Sequence, residues 1–157
     1  MIKTNAMRLL DQAQIPYSTR EYEVDEHDLI GEHVAKQLGL DPDSVFKTLV
    51  ARGDKNGIHV FCIPVREELD LKKAAAVTDN KKVELVHVKE LLNLTGYIRG
   101  GCSPIGMKKK FPTYIEETAV LFDEIAVSAG IRGAQVILNP EDLKAYTEAE
   151  YASLTIE

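Results

Sequence analysis

Apolar and polar positions along the chain follow two rhythms, one near 3.6 residues and one near 2, separated by short polar breaks. Thr4 is placed to cap a first helix whose apolar face uses Met7, Leu10 and Ala13, and which ends before Pro16. Tyr17 to Val24 reads as a strand. Ile30 to Leu38 carries Val34, Ala35 and Leu38 at helical spacing and stops at Gly39. Val45–Ala51 and Ile58–Val65 read as a hairpin around Gly53-Asp54-Lys55-Asn56-Gly57, where Gly and Asn suit a tight turn. Asp70 caps LKKAAAVT, Val83–Val86 is a strand, and Val88–Leu94 is a short helix closed by Gly96. Thr113–Ile115 is strand-like, and Ile125–Ser128 with Ala134–Leu138 makes a second hairpin around Gly130–Gly133. Asn139 then caps a helix with Pro140 at its first position and Glu141 and Asp142 in its first turn.

This order predicts one α/β domain over residues 1–157, with a mixed, mostly antiparallel sheet, partly barrel-like, and flanking helices. Neither an internal repeat nor a Pro/Gly/Ser-rich linker divides the chain. MIKTNAMRLLDQAQ has no apolar stretch of signal-peptide length before Asp11, and no apolar run is long enough to cross a bilayer. The expected location is the cytoplasm. The two cysteines, Cys62 and Cys102, read as reduced thiols, and the spacing of cysteines and histidines suggests no structural metal.

Charge changes the picture by its distribution. The chain has a net charge of −6, yet residues 66–110 hold 10 basic and 6 acidic side chains, a net of +4. Residues 1–65 carry −3 and residues 111–157 carry −7. The central stretch includes Lys72-Lys73, Lys81-Lys82, Arg99 and Lys108-Lys109-Lys110. It reads either as solvated surface or as a local phosphate-binding patch.

Three segments offer chemistry. Gly100-Gly101-Cys102-Ser103-Pro104-Ile105-Gly106 has the glycine content that lets backbone approach a ligand, or simply a tight turn. Its spacing mimics a P-loop, but Met107 stands where the lysine belongs. Cys102 would need a histidine base to act as a nucleophile, and His27, His33, His59 and His87 all read as surface or capping residues. Lys47, in VFKTLV, shares a strand face with Val45 and Leu49 and either snorkels to the sheet edge or enters a polar pocket. Cys62 reads as a small core residue.

VFKTLV, LKKAAA, TGYIRGGCSPIGMKKK and IRGAQVILNPEDL stand in the order and spacing of the YbaK/EbsC family, which the chain resembles along nearly its whole length. These are aminoacyl-tRNA deacylases related to the editing domain of bacterial prolyl-tRNA synthetases. Thr48 after Lys47 looks like the Cys-tRNA branch, since the Ala-tRNA branch more usually has asparagine there.

The resemblance implies removal of cysteine from Cys-tRNA(Pro), with Cys-tRNA(Cys) as a second substrate and prolyl-tRNA synthetase as a partner. It implies no cofactor and no protein nucleophile, because the substrate thiol attacks its own ester. By resemblance Lys47 holds the tRNA end and assists catalysis, and Gly100, Gly101 and Ser103 hold the carbonyl and the terminal ribose. Cys102 lies in that loop, and Tyr22, Ile30 and Asp142 line the pocket. Ile30 departs from the aromatic residue usual there. Lys108, Lys109 and Lys110 are expected on the tRNA backbone. Two alternatives stay open, a non-catalytic RNA-end or nucleotide-binding module and a thiol hydrolase built on Cys102.

Overall fold

Thr4 accepts from the Met7 N–H at 3.2 Å and opens helix α1 (Asn5–Gln12), as its sequence predicts. Met7 and Leu10 are buried with Ala6, while Ala13 lies exposed at the helix end. The computed structural model describes residues 2–24 and 31–157, so Ile30 and His27 lie outside the described residues. Strand β1 (Ser18–Glu21) is shorter than the run Tyr17–Val24 suggests, and α2 (Gly31–Leu38) stops at Gly39.

The expected first hairpin is β2 (Phe46–Gly53) with β3 (Gly57–Pro64). Asp70 caps α3 (Leu71–Val77) through its carboxylate, which accepts from the Lys72 and Lys73 N–H groups. Then follow β4 (Val83–Leu85), α4 (Val88–Thr95) with Gly96 as its left-handed cap, and β5 (Thr113–Glu116). The second hairpin is β6 (Ile125–Ser128) with β7 (Ala134–Leu138), and Asn139 caps α5 (Pro140–Thr147). A last strand, β8 (Glu150–Ala152), pairs parallel to β5. It is short and has no turn signal, so the sequence pattern does not single it out.

These strands form two sheets rather than one, ordered β4-β2-β3-β5-β8 and β1-β7-β6. They do not close into a barrel. A parallel bridge from Val45 to Ala126 joins them, so the start of β2 lies beside β6. Most strand neighbours are antiparallel, with β3–β5 and β5–β8 parallel.

The main core lies between α1, α5 and the inner faces of both sheets, around Leu10, Cys62, Ile105, Ile115, Val136 and Leu143. On the other face of the five-stranded sheet, Ala51, Phe61 and Ile63 pack under α3. His59 belongs to that face and corrects the reading of every histidine as surface or capping. It is 3% exposed, with Phe61 and Tyr114 rings beside it and Asn80 Nδ2 at 3.3 Å from its Nε2. His87 does cap α4.

Candidate active site

The pleat of four strands builds one polar row. Residues paired across strands share a face, and Val45, Ala126 and Ile137 pack together with Ala35 of α2. Two positions further on, the same face carries Lys47 of β2, Ser128 of β6, Gln135 of β7 and Arg20 of β1. Tyr22 extends β1 on this face, its N–H donating to the Gly133 carbonyl at 3.0 Å.

Lys47 is half-buried. Burial holds its ammonium below the usual lysine range, and Glu68 and then Glu67 oppose that shift. Ser128 accepts from the Gly130 N–H at 3.1 Å. Gln135 is 6% exposed, and its Oε1 has no hydrogen-bond partner among the described residues. An acceptor so placed costs free energy until a donor reaches it. Sequence reasoning selects neither Ser128 nor Gln135. The available signal is a glutamine inside the apolar run AQVIL, legible only once β7 is paired.

The glycine loop docks against the turn of the β6–β7 hairpin. A Cβ on Gly101 would meet the Arg132 N and Ile131 C atoms at 3.1 Å, both backbone, so only glycine lets the two segments touch. The Gly101 N–H already donates to the Ile98 carbonyl at 3.0 Å. That N–H is thus engaged within the loop, and the missing side chain is what allows the close approach. Gly100 has φ +87°, a left-handed conformation, under the Arg132 side chain. Ser103 is fully buried and accepts from the Ile105 N–H at 3.2 Å, which helps to shape the loop. Tyr97 braces the loop by donating its hydroxyl proton to the Ile105 carbonyl.

Cys102 points away from the polar row. It packs with Val50 and Val60, and burial pushes its thiol up to about 12. Cys62 is likewise pushed up to about 12 by burial, on the same side of the sheet as Thr48, whose hydroxyl lies 3.9 Å from its sulfur. Such thiols are almost wholly protonated near neutrality and make poor nucleophiles.

The structure thus gathers Tyr22 and the loop around one hairpin turn, with Lys47 on the face that leads to it. Asp142 sits in the first turn of α5, beyond the end of β7 that is remote from the Gly130–Gly133 turn. Five strand residues, roughly 16 Å, intervene. Lys108, Lys109 and Lys110 are exposed or half-exposed beyond the loop, Lys110 paired with Glu148 at 2.7 Å. A cleft of about 480 Å³ opens elsewhere, between α1 and β1. Its Lys3 and Asp11 neutralise each other at 2.6 Å, and it contains none of the residues above.

A family model described as an aminoacyl-tRNA editing domain matches residues 27–146. The chain belongs to this family. It is 51% identical over 153 residues, 98% of this chain and 93% of the relative, to the Enterococcus faecalis protein named "Putative Cys-tRNA(Pro)/Cys-tRNA(Cys) deacylase EbsC". A Bacillus subtilis protein, "Uncharacterized protein YwhH", is 24% identical over 116 residues, 74% of this chain and 73% of that one. A solved structure described as "a putative trans-editing enzyme for prolyl tRNA synthetase" superposes with a TM-score of 0.83 at 24% identity, covering 100% of both chains. That likeness establishes the editing-domain fold. The polar row and the glycine loop both fall within the residues that the family model covers, apart from β1.

Proposed function

We propose that this editing domain is a cytoplasmic deacylase that removes cysteine from Cys-tRNA(Pro), with Cys-tRNA(Cys) as a second substrate. The observation that carries the reading is the pair formed by Lys47 and the unpartnered Gln135 Oε1 on one face. An aminoacyl ester offers the groups that they lack. Its α-ammonium donates to Gln135, and the tRNA end or the developing oxyanion restores the Lys47 charge. The near-full-length identity with a protein named for Cys-tRNA deacylation supports cysteine as the amino acid.

The attacking sulfur belongs to the substrate. Its Sγ bonds to its own ester carbonyl carbon, the bond to the tRNA 3′ oxygen breaks, and the thiol proton ends on the departing 3′-hydroxyl. The product is a strained four-membered thiolactone, which water then opens. Holding the thiol against the carbonyl is the main demand on the protein, and proximity supplies much of the rate. The protonated state of Cys62 and Cys102 favours this route over a protein nucleophile. A prolyl-tRNA synthetase partner that presents the charged tRNA would offset the weak nucleic-acid affinity of a chain with net charge −6.

Single-turnover deacylation of tRNA(Pro) charged in turn with cysteine, serine and alanine tests the mechanism. Cysteine should leave fastest, serine far more slowly because its hydroxyl is a weak nucleophile at neutral pH, and alanine not measurably. Cys102→Ala should retain most of the cysteine rate. Gly101→Ala should lose most of it, because the new Cβ pushes on the Ile131–Arg132 backbone. An inactive but folded Cys102→Ala protein would instead support the thiol hydrolase.

A further inference from the structure

The turn above the glycine loop carries a charged side chain that neither the polar row nor the loop chemistry employs. Arg132 lies across Gly100, where an added Cβ would meet its Nε at 3.1 Å and its Cγ at 3.4 Å. Its Nε donates to the Arg99 carbonyl at 2.8 Å, which fixes one edge of the guanidinium plane. Its two terminal nitrogens have no acceptor among the described residues, and no described carboxylate forms an ion pair with it. Ile98 and Ile131 stand at the same place, 49% and 46% exposed, next to Gly101 in the loop and in the turn. A half-fixed guanidinium fork beside two exposed aliphatic side chains matches a phosphate with a nucleobase next to it. The substrate restricts the choice of anion further. The amino acid of an aminoacyl ester has no free carboxylate, so the anions nearest the ester are the phosphates of the terminal nucleotides.

We propose that Arg132 binds a phosphodiester of the 3′-terminal nucleotides of the aminoacyl-tRNA, with Ile98 and Ile131 flanking the terminal base. The assignment rests on the deacylase reading. It adds the residue that sets how deeply the tRNA end enters, because the phosphate-binding fork and the glycine loop are tied together through the Arg99 carbonyl.

Arg132→Gln separates binding from loop shape, since the glutamine amide can still donate toward the Arg99 carbonyl while the charge is gone. Deacylation of Cys-tRNA(Pro) is compared with that of 3′-O-cysteinyl-adenosine, which carries the same ester and no phosphate. With tRNA the variant should need about tenfold more substrate for half-maximal rate, its maximal rate staying within about twofold of wild type. The slope of log affinity against log salt should fall by about 0.7. Cysteinyl-adenosine should react at the wild-type rate, and Arg132→Lys should recover part of the tRNA affinity. Equal losses on the two substrates, or no change on tRNA, would overturn the assignment. Binding of uncharged tRNA(Pro) by the same variants reads Arg132 independently of catalysis. A wild-type protein inactive on Cys-tRNA that nevertheless binds tRNA through Arg132 would overturn the deacylase reading and leave this one standing.

Discussion

Lys47 combines half-burial with an ammonium held below its usual range, and the nearest opposing charges belong to Glu68 and Glu67. A cation in that state gains more from an arriving anion than a solvated lysine does. Lys47→Ala should therefore lower single-turnover deacylation by at least about tenfold, ~1.4 kcal/mol of transition-state stabilisation, in a protein that remains folded. Unchanged rates in a folded variant would remove Lys47 from the site. This residue is legible in VFKTLV because strand alternation alone sets its face. Gly101 is legible as a place where backbone comes close, since glycine pairs carry that meaning locally. That its N–H points at the Ile98 carbonyl is not legible, because no composition rule gives the direction of a single N–H. Gln135 and Ser128 are hidden for another reason. They join Lys47 only through the bridge between Val45 and Ala126, residues 81 positions apart.

Elements account for where Asp142 sits and for the correction at His59. Asp142 has a complete account as an acid in the first turn of α5, where the helix dipole favours negative charge. His59 reads as exposed in the sequence because it follows a turn closely. The β2–β3 hairpin nonetheless buries it, since Asn80 folds over Gly53 and reaches the ring. The Asn80 orientation is fixed: Oδ1 accepts from the Lys55 and Asn56 N–H groups, so Nδ2 faces Thr78 Oγ1 and His59 Nε2. Nε2 must then accept, which puts the imidazole proton on Nδ1, an atom with no partner.

A second proton would set Nε2–H against the Asn80 amide, and burial already lowers the His59 value below 6.5. The unfolded chain takes up that proton first as pH falls. Stability is therefore full above about pH 6.5 and declines below it, down to the folded-state value. Urea midpoints at about pH 7.5 and 5.5 should differ more for wild type than for His59→Phe. Asp54 and Glu90, both held below the ordinary carboxylate range, titrate lower and leave this window clear. Equal pH dependence in the two proteins would show that His59 is not the group responsible.

At the scale of the whole molecule, the fold class follows from the order of helical and strand rhythms, but the division into two sheets does not. That division depends on which long-range pairs form, and periodicity carries no record of pairing. Charge distribution shows the same limit. The +4 of residues 66–110 is partly compensated in space by acids outside the stretch, with Arg66 on Asp43 at 2.8 Å, Lys73 on Glu157 at 3.6 Å and Lys110 on Glu148 at 2.7 Å. These pairs are mostly solvent-exposed, where an ion pair contributes little and exchanges readily for a phosphate. Lys108, whose stem covers Gly96, and Lys109 are exposed shortly after the glycine loop.

Replacing Lys108, Lys109 and Lys110 with alanine should thus weaken tRNA binding and flatten its salt dependence, by up to about 0.9 in the log–log slope for each phosphate left unneutralised. Folding should change little, because all three side chains reach solvent and only the Lys110–Glu148 surface pair is removed. Deacylation at saturating Cys-tRNA should stay near wild type, since on this reading the lysines meet phosphates and not the ester. A salt series with an unchanged slope would show that the central positive stretch is solvated surface, and that the tRNA is held by the site itself and by whatever partner presents it.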